Sequence, residues 1–124
     1  MSRILVADDN PVSRELIREV LEAPGREILE ASHGQEALES ARRNLPDLVL
    51  LDIQMPLLDG FEVLERIRRE PSLARMRVVA LTAYAMRGDR QRALDAGFDD
   101  YITKPVNGAA LRKQVRTLLG ETSE

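Results

Sequence analysis

The sequence predicts an α/β fold in which five strand and helix pairs form a doubly wound parallel sheet. Two observations predict it: short apolar runs recur along the 124 residues, and a stretch with helical spacing of apolar residues follows each run. The first, third and fourth runs are apolar throughout, as expected of central strands, whereas the second and fifth are short or mixed. This difference favours the strand order 2-1-3-4-5, the flavodoxin-like arrangement.

The composition is that of one compact domain. Hydrophobic residues make up 44% and charged residues 31% of the chain, and we expect the domain to span residues 1–120, with a disordered C-terminal tail at 121–124. The absence of cysteine excludes disulfides and thiolate sites. A net charge of −3 without a basic stripe argues against direct nucleic-acid binding, and no apolar run is long enough for a membrane span, so we expect a cytoplasmic protein with no membrane association.

The first unit begins with the apolar run Ile4 to Ala7, which ends at Asp8 and Asp9. Asn10 can then cap a helix whose first residue is Pro11. The apolar residues at helical spacing after this start are Val12, Leu16, Ile17, Val20 and Leu21.

The second unit is more polar. Its strand, Arg26 to Ala31, has a short apolar centre, and Gly34 opens the helix that follows. One side of that helix carries Ala37, Leu38, Ala41 and Leu45. The chain then enters the third strand, Leu48 to Leu51, which is bounded by prolines and ends at Asp52. Taken alone, Asp52 could be a turn residue or a reactive acid at the end of a central strand.

The third helix contains Phe61, Val63, Leu64 and Ile67, with the exposed pairs Glu62 with Arg66 and Glu65 with Arg69 at i,i+4 spacing. The fourth strand, Val78 to Leu81, ends at Thr82. Its helix, roughly Arg87 to Ala96, has few apolar residues and should be the least firmly held. The last strand, Tyr101 to Thr103, precedes Lys104 and a helix that is capped at Asn107 and ends at Gly120.

In a parallel sheet the carboxyl ends of the strands share one edge. The polar residues that follow the strands therefore converge there: Asp8, Asp9, Asp52, Thr82 and Lys104. Each has an ordinary structural explanation when taken singly, such as an acid near a helix N-terminus. Together, three neighbouring carboxylates would raise one another's pKa unless a cation lies among them, and oxygen ligands favour Mg²⁺. A carboxylate between a metal and a lysine is suited to accept a phosphoryl group.

These residues belong to a set of motifs that resembles the receiver domain of two-component response regulators. The resemblance extends from about Arg3 to Leu119. Its pieces are Asp8-Asp9, Asp52, Met55-Pro56-Leu57-Leu58-Asp59-Gly60, Leu81-Thr82-Ala83, Gly97-Phe98-Asp99-Asp100-Tyr101 and Lys104-Pro105. Each is weak alone, but their order and spacing together are specific.

The resemblance implies a role for each matching residue. Asp52 would be the phosphoacceptor, and Lys104 would pair with Asp52 or with the phosphoryl group. Thr82 would hydrogen-bond a phosphoryl oxygen, helped by the backbone N–H of Ala83. The ligands of a Mg²⁺ cofactor would be Asp9, Asp52 and the backbone carbonyl of Gln54, with Asp8 acting largely through water. The bond before Pro105 is typically cis in the family.

The resemblance also implies partners and a switch. The phosphoryl group would come from a sensor histidine kinase or a histidine phosphotransfer protein, and movement of Thr82 would let Tyr101 turn inward. This would change the surface of helix 4, strand 5 and helix 5 that a downstream protein partner recognises. Gln54 and Tyr84 lie where family members vary and where the lifetime of the phosphoryl group is tuned.

Two alternatives remain open. We expect a stand-alone receiver, but the chain could also be a receiver taken from a hybrid kinase or from a regulator with an output domain. The other alternative is a phosphatase with an aspartyl nucleophile. Such enzymes typically carry a second acid two residues after the nucleophile, and that position here is Gln54.

Overall fold

The computed structural model describes residues 2–56, 58–83 and 87–120. In these residues five parallel strands form one sheet in the order β2-β1-β3-β4-β5, as predicted. The strands are β1 Ser2–Ala7, β2 Arg26–Ala31, β3 Leu48–Asp52, β4 Arg77–Thr82 and β5 Asp100–Thr103. The helices are α1 Pro11–Leu21, α2 Gly34–Asn44, α3 Gly60–Arg69, α4 Asp89–Ala96 and α5 Gly108–Leu118. The fold is therefore flavodoxin-like.

Apolar side chains cover both faces of the sheet because alternate residues of a strand point to opposite faces. On one face, Leu5 and Val49 belong to a cluster that includes buried residues of α2, α3 and α4. On the other, Ile4 and Leu48 pack with buried residues of α1 and α5. The two clusters fix the sheet between two helical layers.

Side chains at the helix starts hold the elements in register. The Asn10 side chain accepts from the backbone N–H groups of Val12 and Ser13, and that of Asn107 accepts from Ala110, as predicted. The lone His33 lies in the loop between β2 and α2, where its side chain caps α2 by accepting from the N–H of Glu36.

Three apolar side chains predicted on the inner sides of helices are exposed. Leu45 follows α2 in a left-handed conformation at φ 47° and is 57% exposed, because the helix has already ended there. Val12 and Leu16 are 75% and 47% exposed, and they line a surface groove together with Pro105 and Val106.

The starts of α3 and α4 differ in how they are capped. Glu62 joins Asp59 in a capping box instead of pairing with Arg66, while the predicted contact of Glu65 with Arg69 is present at 3.5 Å. By contrast, α4 starts at Asp89, two residues later than predicted, and has no side-chain cap at Gly88.

Helix α4 contributes one buried residue, Ala93, in agreement with the expectation that it is weakly held. The Arg92 guanidinium lies 4.6 Å from the centre of the Phe61 ring on α3, and Phe61 in turn meets Phe98 edge to face at 5.6 Å. These aromatic contacts form one link between α3 and α4.

Arg68, near the end of α3, joins three segments of backbone. Its guanidinium donates to the carbonyls of Ala74, Met76 and Gly97 and to the Asp99 carboxylate. Since Gly97 ends α4, this arginine fixes the C-terminal end of that helix to the end of α3.

No helix among the described residues has the length and apolar character to cross a bilayer.

Candidate functional site

The predicted residues meet at the carboxyl edge of the sheet. Asp52 ends β3 and pairs with Leu81, and Thr82 ends β4. Lys104 follows β5, and its backbone N–H donates to the Thr82 carbonyl at 2.8 Å. The Lys104–Pro105 bond is cis, in agreement with the expectation from the resemblance.

Three carboxylates form a cluster at this edge. One oxygen from each of Asp8, Asp9 and Asp52 lies within 4.8 Å of the others. Asp8 is fully buried and Asp52 is 4% exposed, whereas Asp9 is open to solvent. The cluster therefore has two buried carboxylates and one that is exposed to solvent.

Lys104 lies between the two buried acids. Its Nζ is 2.7 Å from Asp8 Oδ2 and donates a hydrogen bond of 3.0 Å to Asp52 Oδ2. The other oxygens of these carboxylates accept from backbone N–H groups, Asp52 Oδ1 from Gln54 at 2.8 Å and Asp8 Oδ1 from Asn10 at 2.9 Å. The sequence suggested a contact of Lys104 with Asp52, but the ion pair with Asp8 was not predicted.

Burial and neighbouring charge set the pKa values of these groups. Burial raises the pKa of Asp52 above its ordinary value, and the hydrogen bonds from Gln54 and Lys104 only partly offset it. For Asp8, burial would raise the pKa, but its contacts with Lys104 and Asn10 outweigh burial and lower it. Burial alone would lower the pKa of Lys104, and its contacts with the two acids raise it instead.

Two glycines allow the loop after Asp52 to pack closely against neighbouring backbone. A Cβ on Gly60 would lie 2.6 Å from the Asp52 carbonyl oxygen, and one on Gly34 would lie 2.2 Å from the Leu58 carbonyl oxygen. The N–H of Ile53 donates to the Leu81 carbonyl at 3.0 Å. Ile53, which precedes Gln54, is therefore held between β4 and the start of α3.

The groove beside the cluster is apolar. Its volume is about 390 Å³, and Ala83, Lys104 and Pro105 are among the residues that line it. Thr82 is fully buried next to it. The groove thus borders Lys104, whose Nζ contacts Asp8 and Asp52. Tyr84 and the tail at 121–124 lie outside the described residues.

Tyr101 lies on the edge strand β5, opposite Ala80, and its ring packs against the core cluster that includes α4. Its hydroxyl is buried and has no hydrogen-bond partner among the described residues. Burial and the charge of Asp89 raise the pKa of Tyr101. The ring therefore occupies a position in which none of the described residues bonds to its hydroxyl.

Sequence reasoning missed one residue close to the cluster. Arg14 of α1 donates from Nη1 to the backbone carbonyl of Asp8 at 2.7 Å and from Nε to Glu30 at 3.0 Å. A side-chain contact with a carbonyl oxygen leaves no pattern in the sequence, since every residue has such an oxygen.

The donor set fits a small divalent cation. Three carboxylates supply hard oxygen atoms within one ion's reach, and the buried Asp8 Oδ2 has no hydrogen bond of good geometry despite its ion pair with Lys104. The fold places these groups at the switch point between β1 and β3, where doubly wound sheets bind ligands.

The fold and this edge of the sheet define a class of protein. Residues 4–116 match the family described as response regulator receiver domain. The chain therefore belongs to the response regulator receiver family, the phosphoacceptor signalling domains of two-component systems, and it carries the acidic cluster typical of a receiver magnesium site.

Proteins similar to this chain include a named response regulator. The polar-differentiation response regulator DivK of Brucella anthropi is 36% identical over 118 residues, which cover 95% of this chain and 96% of that protein. An uncharacterised 14.6 kDa protein from the sodA1 3′ region of Leptolyngbya boryana is 45% identical over 91% of this chain and 86% of that protein.

Solved structures show the same likeness. The receiver domain of the sensor histidine kinase PA1611 from Pseudomonas aeruginosa PAO1 is 35% identical, with a TM-score of 0.86 over 96% of this chain and 98% of that chain. That structure contains a magnesium ion coordinated in the active-site cleft. A putative response regulator from Chloroflexus aurantiacus is 30% identical, with a TM-score of 0.89 over 96% of this chain and 98% of that chain.

Proposed function

We propose that Asp52 is the phosphoacceptor of this receiver. The observation that carries the proposal is the position of its carboxylate, which ends the central strand and is bonded to Lys104 beside two further acids. In the proposed reaction a carboxylate oxygen of Asp52 attacks the phosphorus of a phosphohistidine. The bond from phosphorus to the imidazole nitrogen breaks as the bond to Asp52 forms, and the histidine leaves with its electron pair.

The cofactor in this proposal is Mg²⁺, which would neutralise charge on the phosphoryl oxygens. Asp9, Asp52 and the backbone carbonyl of Gln54 would hold it directly, and Asp8 would act largely through water. The donor set supports this choice because all these groups offer oxygen. The magnesium site of the similar Pseudomonas aeruginosa receiver also supports it.

The remaining residues would bind the phosphoryl group itself. Lys104 would exchange its bond to Asp52 for one to a phosphoryl oxygen, and its raised pKa keeps it cationic for this purpose. The Thr82 hydroxyl and the backbone N–H of Ala83 would take further oxygens. These two residues lie at the end of β4, next to the groove that opens to solvent.

The partner that supplies the group is proposed to be a sensor histidine kinase or a histidine phosphotransfer protein. The exposed apolar side chains of Val12 and Leu16 support this, because they flank the groove that leads to Lys104. A partner that covers this groove would exclude water from the reacting groups.

The output is proposed to be a change in the α4, β5 and α5 surface, recognised by a downstream protein. Thr82 would move towards the phosphoryl group and Tyr101 would turn into the space left behind. Two observations support a surface that rearranges at small cost: α4 buries a single residue, and the Tyr101 hydroxyl has no hydrogen-bond partner among the described residues.

The test is incubation with acetyl phosphate and MgCl₂, followed by mass spectrometry of the intact protein. We expect one added phosphoryl group in the wild type and in the control Asp95→Asn, whose exposed carboxylate lies on α4 and bonds only to Gln91 among the described residues. Asp52→Asn should remain unmodified. A phosphoryl group that persists in Asp52→Asn would refute the assignment.

A further inference from the structure

Asp9 is held differently from the other two acids of the cluster. Lys104 and backbone N–H groups contact Asp8 and Asp52, but the exposed Asp9 side chain makes no hydrogen bond or ion pair within the described part of the chain. The position of its carboxylate is therefore set by its own backbone.

The peptide groups on both sides of Asp9 are fixed. The carbonyl of Asp8, which belongs to the peptide before Asp9, accepts from Arg14 Nη1 at 2.7 Å. The N–H of Asn10, which belongs to the peptide after it, donates to Asp8 Oδ1 at 2.9 Å. Arg14 thus holds one of the two peptide planes from which the Asp9 side chain projects.

Arg14 is itself held in place by Glu30 of β2. Its Nε donates to Glu30 Oε1 at 3.0 Å, and its side chain is only 19% exposed. The planar guanidinium can serve the Asp8 carbonyl and the Glu30 carboxylate at once, because its N–H groups have a fixed angular arrangement. The other Glu30 oxygen is bound by Arg18 at 2.7 Å.

We propose that Arg14, held by Glu30, is a positioning residue that fixes the backbone of Asp9 and thereby sets the affinity of the site for Mg²⁺. The inference rests on the proposed function, since it takes Asp9 as a direct ligand of the ion. Arg14 touches neither the ion nor the phosphoryl group in this account and acts only through the Asp8 to Asp9 peptide.

The sign of the effect separates positioning from simple electrostatics. Removal of a positive charge close to a cation site should by itself strengthen Mg²⁺ binding. Loss of positioning should weaken it, and loss of a group that orients a ligand costs about tenfold in metal affinity. We therefore expect Arg14→Met to bind Mg²⁺ about tenfold more weakly than the wild type.

Arg18→Met is the matched control. It removes the same charge from the same helix and breaks a bond to the same glutamate, but Arg18 makes no contact with Asp8. Its Mg²⁺ affinity should equal or slightly exceed that of the wild type. Arg14→Lys should bind Mg²⁺ more tightly than Arg14→Met but more weakly than the wild type. Its ammonium group can bond to the Asp8 carbonyl or to the Glu30 carboxylate, but it lacks the planar guanidinium that bonds to both at once.

The experiment is a titration of the full chain with MgCl₂ by isothermal calorimetry, with thermal unfolding in EDTA to verify that each variant is folded. If Arg14→Met does not fold, Glu30→Gln carries the test, and it should weaken binding about threefold, less than the tenfold expected when the bond to Asp8 itself is lost. Wild-type affinity in a folded Arg14→Met, or in Glu30→Gln if that variant carries the test, would overturn the proposal.

Amide resonances recorded in EDTA supply a readout that needs no metal. Those of Asp9 and Asn10 should shift in Arg14→Met and not in Arg18→Met. Unchanged resonances would overturn the positioning role whatever the calorimetry shows. Absence of Mg²⁺ binding by the wild type would instead count against the proposed function, so the two failures are distinguishable.

Discussion

Helices α3 and α4 lie on the same face of the sheet but are held to it very differently. Four residues of α3 are buried, Gly60, Val63, Leu64 and Ile67, and a capping box closes its first turn. Helix α4 buries one residue, Ala93, and has no side-chain cap. Helix α3 is thus firmly packed beside the site, whereas α4 makes few contacts with the core.

The contrast follows from what each helix touches. The start of α3 packs directly on the backbone of Asp52 and Ile53, where no side chain could be accommodated. The Arg92 guanidinium of α4 reaches α3 through the face of Phe61, a contact worth about 0.5–1 kcal/mol at an exposed site. A receiver needs both properties, a fixed acceptor and a surface that responds to it.

The largest effect on stability should come from Gly60→Ala, which disrupts the packing of α3 against Asp52 and Ile53. The new methyl group would lie 2.6 Å from the Asp52 carbonyl oxygen and 2.6 Å from Ile53 Cα, and backbone atoms of a central strand cannot move aside. We expect the free energy of unfolding to fall by about 3 kcal/mol, measured by urea denaturation.

Gly108→Ala is the control for this prediction, since Gly108 is also the first residue of a helix after an Asn or Asp cap. A Cβ there would lie 3.6 Å or more from its neighbours, which is ordinary contact. The variant should be unchanged or up to about 1 kcal/mol more stable. Equal losses in both variants would show that close approach at Gly60 is not the cause.

A smaller effect, and one that depends on pH, should follow from Asp52→Asn. Folding raises the pKa of Asp52 above its ordinary value of 3.8. The carboxylate therefore ionises less readily in the folded protein than in the unfolded chain. As the pH rises from 3.8 through the raised pKa, this difference lowers the free energy of unfolding of the wild type. In EDTA the variant should therefore gain stability relative to the wild type over this interval and keep the gain at pH 7.

Urea denaturation at several pH values measures this difference. Asp8 is present in both proteins, and its lowered pKa acts in the opposite direction. Addition of Mg²⁺ should stabilise only the wild type. A stability difference that stays constant from below pH 3.8 to pH 7 would contradict the prediction.

The smallest effect should come from Tyr101→Phe, on the weakly held side. The hydroxyl is buried without a partner among the described residues, so its removal should leave the unphosphorylated protein unchanged or up to about 1 kcal/mol more stable in thermal or urea unfolding. Tyr101→Leu, which removes the ring that packs against the core, should be less stable than Tyr101→Phe. Equal losses in the two variants would mean that the hydroxyl is bonded after all.

The sequence was sufficient for the strand order and for the meeting of Asp8, Asp9 and Asp52. Both depend on hydrophobic periodicity and on the shared edge of parallel strands, which are properties of residue types in order. The low apolar content of α4 likewise indicated its weak attachment.

Other features depend on three-dimensional packing that periodicity does not record. Val12 and Leu16 have the spacing of core residues, but they line an open groove. The bond from Arg14 to the Asp8 carbonyl and the ion pair of Lys104 with Asp8 join groups that are far apart or unmarked in sequence. The cap at His33 uses a side chain that is uncommon at that position.

The bonds of Arg68 have a mechanical consequence for α4. They clamp the helix at Gly97, where it ends, while its other end rests on Gly88 without a side-chain cap. Eight residues at a rise of 1.5 Å make α4 about 12 Å long. If the helix rotated by about 10° about Gly97, Asp89 would move by about 2 Å while Gly97 stayed in place. The displacement would therefore be largest at the start of the helix.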